Sequence, residues 1–230
     1  MAAMAEDLWV SRFWEVLGIA AAFIFYGRFY LQWFVSEIQK RSVIPVAFWY
    51  MSSLGSLMLL AYAVYLQSPI GALSHCFNIV IYVRNLIHIW REKGVLTSRL
   101  SAGVHTAAGL IVLGALGLAV HTWLREYDVV REVSPEAARQ TWFWLGVGVV
   151  GQGLFGCRFA LQWAATEFHH KSVVPVAFWY FSVIAAVLLT ASHLQRREWV
   201  FVLGMGATVL VYLRNLWLIY AHPPGAAPAE

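Results

Sequence analysis

Four arginines stand inside long apolar stretches, and their spacing is regular. Arg28 and Arg158 are 130 positions apart, and so are Arg84 and Arg214. A guanidinium at mid-bilayer depth costs about 2.5–3.5 kcal/mol on the insertion scale, so four of them ask for a reason. Their planar fork matches a phosphate in bidentate fashion, which makes an anion the natural chemistry. Polar neighbours accompany them at helical spacing. Gln32 lies about 40° round the helix from Arg28, and Gln162 repeats that relation beside Arg158. Ser74, Asn78, Tyr82 and Asn85 share one helical face, as do Thr208, Tyr212 and Asn215. Such stripes serve either hydrogen bonding between helices or a polar cavity. In a cavity the amides and phenols would meet hydroxyls, and the arginines an anion. The acids nearest that level are Glu37 and Glu167. Glu37 sits about 180° from Arg28 and four residues before Arg41, as Glu167 sits four before Lys171. The pattern reads as a helix-end ion pair, with a gating contact from Glu37 to Arg84 across helices as the alternative.

The elements that must position these groups are membrane helices. Of the 230 residues 60% are hydrophobic and 12% charged, with a mean hydropathy of +0.65, against a soluble norm of about a quarter charged. In lipid only helices or closed barrels satisfy the backbone, and these apolar runs are too long and continuous for barrel strands. Charge gaps and turn residues predict seven spans: Phe13–Val35, Pro45–Leu66, Ile70–Trp90, Leu100–Leu124, Thr141–Ala165, Pro175–Leu194 and Trp199–Tyr220. Pro45 and Pro175 fit the first helical position, and Pro69 marks a tight turn. The first residues, Met1 to Asp7, lack a basic region and carry two acids, so the first span is expected to be retained rather than cleaved as a signal. The connection from Arg125 to Arg139 mixes charges of both signs around Pro135 and reads as a solvated loop.

The chain repeats itself at the same interval. Phe25 to Tyr50 reads FYGRFYLQWFVSEIQKRSVIPVAFWY, and Phe155 to Tyr180 reads FGCRFALQWAATEFHHKSVVPVAFWY. Tyr82-Val83-Arg84-Asn85-Leu86 likewise returns as Tyr212-Leu213-Arg214-Asn215-Leu216. Each unit is therefore expected to be a triple-helix bundle: repeat 1 over 13–91, a linker with one membrane helix over 92–140, and repeat 2 over 141–221. Four helices separate the start of one unit from the start of the next, so both point the same way, about an axis along the membrane normal. The fold class expected is an all-α integral membrane protein with seven transmembrane helices in a 3+1+3 arrangement.

The string Arg28-Phe29-x-x-Gln32-Trp33, followed by Glu37, Ser42, Pro45, Phe48-Trp49 and Tyr82-x-Arg84-Asn85-Leu86, resembles the N-terminal-like membrane domain of lipid-A-disaccharide synthase, twice over. That family belongs to the wider PQ-loop group, which includes the SWEET sugar carriers. Where those carriers place Pro-Gln in the first helix, this chain has Gln32-Trp33 and Gln162-Trp163. The resemblance implies a SWEET-like carrier fold and a sugar-contacting asparagine at Asn78, for which the second unit has Thr208. It also implies that a glycosyltransferase domain follows in the full-length synthase; none is expected within these residues.

The remaining signals are plainer. Cys76 and Cys157 have no CxxC spacing and are expected to be buried structural thiols. His75 and His88 lack further ligands at metal spacing, and His169-His170 reads as loop, so neither metal nor other cofactor is expected. The calculated pI near 9.2 reflects few charges rather than a basic patch, which excludes nucleic acid as a partner. No nucleophile, phosphate loop or acid–base pair converges, and the expectation is that the chain is not an enzyme. Positive charges flanking the spans tie at six a side. The charges around the first helix and the resemblance place the N-terminus outside and the C-terminus in the cytoplasm of a bacterial inner membrane. The leading expectation is a transporter or flippase for an anionic lipid-linked sugar, working by alternating access. The alternatives are a SWEET-like facilitator of a small soluble sugar or anion, and an accessory of lipid A or envelope glycolipid synthesis. The expected partners are the bilayer, a lipid-linked sugar or phospholipid-like anion and a membrane glycosyltransferase, with the chain a monomer or dimer.

Overall fold

The structure, a computed structural model, describes residues 2–39, 45–76, 78–169 and 175–221. All eight elements among them are α-helices: α1 Ala2–Gln39, α2 Val46–Tyr65, α3 Pro69–Cys76, α4 Asn78–Glu92, α5 Ser98–Glu132, α6 Pro135–His169, α7 Val176–Gln195 and α8 Trp199–Ala221. Five are long and apolar enough to cross a membrane over Trp9–Val35, Val46–Tyr65, Ser98–Glu132, Val176–Gln195 and Trp199–Trp217. The chain is thus an all-α membrane protein. The seven spans read from the sequence are not all among these five. The stretch Ile70–Trp90 is described as two helices, α3 and α4, on either side of position 77, and Thr141–Ala165 lies within α6.

The chain divides into two compact units, Met1–Ser134 and Pro135–Glu230. In the first, α2 packs against α1 and against α3 and α4, and α5 lies along α3 and α4. The core there includes Ala21, Phe25, Leu59, Ala63, Ile70 and Cys76. In the second, α7 is the central helix, packed on α6 and on α8 around Leu145, Ala185, Leu189, Phe201 and Met205. The outward faces carry large apolar side chains, among them Phe23, Leu110, Leu113, Leu203 and Leu210. A water-soluble surface would not present so many together, whereas lipid accommodates them.

Local chemistry explains the helix ends, and it repeats. Pro45 and Pro175 are the residues just before α2 and α7, in extended backbone, and each carbonyl accepts the N–H three residues on, Phe48 and Phe178, at 2.9 Å. Both prolines therefore stand one place earlier than the first helical position. At the other end Gln67 adopts φ 51° and Arg197 φ 56°. Ser68 N–H reaches Ala63 O at 2.8 Å and Gln67 N–H reaches Val64 O at 3.0 Å, while Glu198 and Arg197 make the same pair of bonds to His193 and Leu194. This is the Schellman closure, with a left-handed residue just past the helix. Pro69 and Trp199 then open the next helix.

Two expectations are corrected here. The Arg125–Arg139 connection is helical rather than a solvated loop: α5 continues to Glu132, and α6 begins at Pro135, leaving Val133 and Ser134 between them. Charge content does not prevent a helix when the residues are good helix formers, and Pro135 stands where a proline opens one. Cys76 is buried as expected, but Cys157 is exposed, because its face of α6 has no helix of the same unit upon it.

Candidate functional site

Arg28 and Arg158 are built into matching aromatic cages. Arg28 on α1 is 6% exposed, and its guanidinium carbon lies 3.5 Å from the ring centre of Phe25, one turn earlier on its own helix. Phe29 follows at 4.7 Å, with Phe48 of α2 and Tyr82 of α4 each at 5.5 Å. Arg158 on α6, also 6% exposed, lies 3.6 Å from Phe155, 5.2 Å from Phe178 of α7 and 5.6 Å from Tyr212 of α8. It donates from Nη1 to Ser182 Oγ at 3.0 Å and to Tyr212 Oη at 3.1 Å. Ser182 in turn donates to Phe178 O, as Ser52 does to Phe48 O in the first unit. Ring faces attract a cation most strongly where water is absent, so each arginine ties the helices of its own bundle together.

The other two arginines are placed differently. Arg84 on α4 and Arg214 on α8 are exposed, and among the described residues Arg84 forms no ion pair. The four arginines expected to act as one set therefore separate into two buried cage residues and two exposed ones. The amide of Asn78 donates to Ser74 O at 2.8 Å and that of Asn215 to Val211 O at 2.7 Å, each one turn back on its own helix. Thr208, opposite Asn78 in the repeat, donates to Met205 O at 2.7 Å. Gln32 and Asn85 are half-buried, Tyr82 is half-buried beneath Arg28, and Tyr212 is buried beneath Arg158. The side chains of Gln162, Glu37, Glu167 and His88 lie outside the described residues, as does His170. His75 is buried, its Nδ1 3.4 Å from Ser56 Oγ.

Three features escape the reading of residue types. The cage rings Phe25, Phe48, Phe155 and Phe178 were visible only as members of the repeat; their signal was the shared interval with Arg28 and Arg158. A second pair of matched contacts joins the ends of the bundles: Trp90 Nε1 donates to Tyr50 Oη at 2.7 Å, and Tyr180 and Tyr220 share a hydrogen bond of 2.7 Å. The third feature belongs to the second unit alone. Buried Glu198 at the α7–α8 turn meets His193 Nδ1 at 2.5 Å and Arg196 Nε at 2.9 Å, and His193 stacks on Phe201. The first unit has Ser68 there, capping Gly71 N–H at 3.1 Å.

Comparison with known proteins agrees with the internal interval. The family model for the lipid A biosynthesis N-terminal domain matches residues 17–87 and again 147–217, copies offset by the same 130 positions as the arginines. A lipid-A-disaccharide synthase of Chlamydia abortus is 31% identical over 222 residues, covering 93% of this chain and 34% of that protein. Those of Chlamydia felis and Chlamydia trachomatis serovar D are 31% and 30% identical over 89% and 87% of this chain, and 33% of their own length. The chain thus spans about a third of the curated relatives it matches. No solved structure matches it. These relatives are named as an enzyme, which overturns the expectation, drawn from the lack of a converging nucleophile or acid–base pair, that the chain is not an enzyme. The absence of a catalytic constellation in one stretch says nothing of a protein three times as long. With two copies of the domain matched across more than half of its residues, the chain belongs to the lipid A biosynthesis N-terminal domain family.

Proposed function

We propose that this chain serves lipid A biosynthesis by holding acylated, phosphate-bearing sugars in the bilayer, with Arg84 in the first unit and Arg214 in the second each meeting a phosphate. One observation carries the reading. Both copies of the domain keep an exposed arginine at the same place in the repeat, Arg84 in α4 and Arg214 in α8. Gln32 and Asn85, half-buried, and Asn78 and Asn215, whose side-chain carbonyls are still available to accept, are the proposed contacts for sugar hydroxyls; Gln162 takes the corresponding part in the second unit. Arg28, Arg158, Tyr82 and Tyr212 hold the bundles in which those groups stand, and Glu37 and Glu167 close the helix ends. The names of the relatives support the substrate class, since they are synthases of a lipid-A disaccharide. The inner membrane of a bacterium is the matching location.

The duplication favours a second reading, in which two like units pass the lipid from one leaflet to the other by alternating access. One preparation tests both. The full chain is placed in phosphatidylcholine nanodiscs and titrated with a labelled acylated sugar phosphate, and in vesicles with the same lipid in one leaflet. Arg84→Gln with Arg214→Gln is expected to weaken binding at least tenfold, about 1.4 kcal/mol. Equal affinity in the double variant overturns the arginine assignment. Binding without transbilayer movement retires the second reading and keeps the first.

A further inference from the structure

We infer that the first unit carries a separate site for a phosphate monoester, in the pocket at the corner between α4 and α5. The pocket has a volume of about 460 Å³ and its polar lining is Arg91, Thr97, Ser98, Ser101 and His105. That is within the usual range for small-ligand sites, about 300–1,000 Å³. Arg91 closes the last turn of α4, is exposed, and forms no ion pair among the described residues. At the start of α5, Thr97 Oγ1 caps Leu100 N–H at 3.3 Å and Thr97 O accepts from Ser101 N–H at 2.8 Å, and the pocket is lined by side chains of that turn and the next. Recognition therefore falls to side chains. His105 donates from Nδ1 to Ser101 O at 2.7 Å, which fixes the ring and leaves Nε2 to accept from the P–OH of a singly protonated phosphate monoester, or to donate when the ring is protonated.

The chemistry of the lining selects the ligand. One guanidinium, two serine hydroxyls and one imidazole nitrogen, with no carboxylate among them, suit a phosphate and oppose a metal cation. Arginine takes two phosphate oxygens at once, and hydroxyls and imidazole complete the shell. Trp90, one residue before Arg91, is joined to Tyr50, the type of aromatic pair that sits at headgroup level. The second unit has Ala221 where the first has Arg91, so the site is not duplicated. It is also separate from Arg84, which stands seven residues, about 10 Å, earlier in α4. The inference does not rest on the proposed function.

A phosphate monoester can come from a lipid headgroup or from solution, and the test distinguishes them. The full chain in phosphatidylcholine nanodiscs is titrated in one arm with dioleoyl phosphatidic acid and in the other with inorganic phosphate, reading the unfolding midpoint against concentration. Wild type is expected to be stabilised in at least one arm, with Arg91→Gln and His105→Gln each weakening the apparent affinity about tenfold, while Arg125→Gln, at an exposed arginine of α5 outside the pocket lining, leaves it unchanged; Arg84→Gln with Arg214→Gln is measured beside them. A response to phosphatidic acid alone makes the ligand a lipid; one to inorganic phosphate alone makes it soluble. Affinity within twofold of wild type in both pocket variants, or no stabilisation of wild type in either arm, overturns the site. Loss confined to the Arg84/Arg214 variant also overturns it, and leaves the proposed function standing.

Discussion

Gly55 offers the sharpest test of how the first bundle is held. It lies in α2 where α1 crosses it, and a Cβ at that position would stand 2.8 Å from the Cα, the Cβ and the backbone nitrogen of Phe25. Carbon atoms in good contact are about 3.5–4.0 Å apart, so Gly55→Ala requires the two helices to part by about 1 Å. The obstructing atoms belong to the backbone of a 38-residue helix and cannot rotate aside. Overpacking of this kind costs about 1–3 kcal/mol, and the rigid neighbour argues for the upper part of that range. The gain in helix propensity from glycine to alanine returns about 1 kcal/mol. The net expectation is a loss of about 1–2 kcal/mol. The displaced residue, Phe25, carries the ring closest to Arg28, so the cage moves with it. The second unit supplies an internal comparison, since Ala185 fills the matching position and is fully buried. Equilibrium unfolding of the purified chain in mild detergent, driven by added SDS and followed by far-UV circular dichroism, reads the difference. A Gly55→Ala protein that is more stable than wild type by the propensity gain would refute the reasoning, because the helices would then have room that the structure denies.

Three other perturbations follow from the geometry. Tyr212→Phe keeps the ring beneath Arg158 but removes the acceptor at 3.1 Å; side-chain hydrogen bonds between membrane helices average about 0.6 and reach about 1.7 kcal/mol, so a loss of about 1 kcal/mol in the same SDS titration is expected. Glu198→Gln sets an amide against His193 or Arg196 in a buried cluster and is expected to cost about 3 kcal/mol, as broken buried pairs do; adding His193→Ala to Glu198→Ser, which restores the residues of the first unit's turn, should recover most of it in thermal unfolding, and no recovery would show that the cluster is not a coupled unit. Gln67→Gly and Arg197→Gly each relieve a left-handed non-glycine residue and are expected to raise stability by about 0.5–1 kcal/mol, with an unchanged or lowered unfolding midpoint counting against the Schellman assignment.

Much of the architecture could be read from residue order because apolar length and a fixed interval are properties of the chain alone. The helical segments, the prolines before α2 and α7 and the matching arginines all belong to that class. What could not be read depends on neighbours in space. Arg28 and Arg84 look alike in sequence, since both are single cations in apolar runs, yet one is enclosed by rings from three helices and the other is exposed. Periodicity names the face of a helix but not which other helix covers it. The stretch from Arg125 to Arg139 misleads for the opposite reason. Its charges suggest solvent, correctly for most side chains, but solvent exposure and helical backbone are compatible, and α5 and α6 run through it almost to their junction. Cys157 shows the same limit, because burial tendency is an average over proteins and its own face of α6 is open.

The internal repeat then separates two kinds of matched residue. Where the copies agree around the caged arginines, packing is a sufficient reason: Arg28 and Arg158 stand against Tyr82 and Tyr212 in matching cages, and Ser52 and Ser182 make matching bonds to the carbonyls of Phe48 and Phe178. Where they differ, the local structure differs too, as at Ser68 and Glu198, or Gly55 and Ala185. Arg84 and Arg214 fit neither case. They agree, but they are exposed, and an exposed arginine within a bilayer would lose stability, about 2.5–3.5 kcal/mol at mid-depth and less where the side chain reaches the interface. Thr208 stands in place of Asn78 less than two turns before the arginine, while the arginines themselves are the same in both copies. If each arginine meets a phosphate, as proposed, the opposite charge removes that penalty, which is why these two residues rather than the cage arginines are the ones to mutate first.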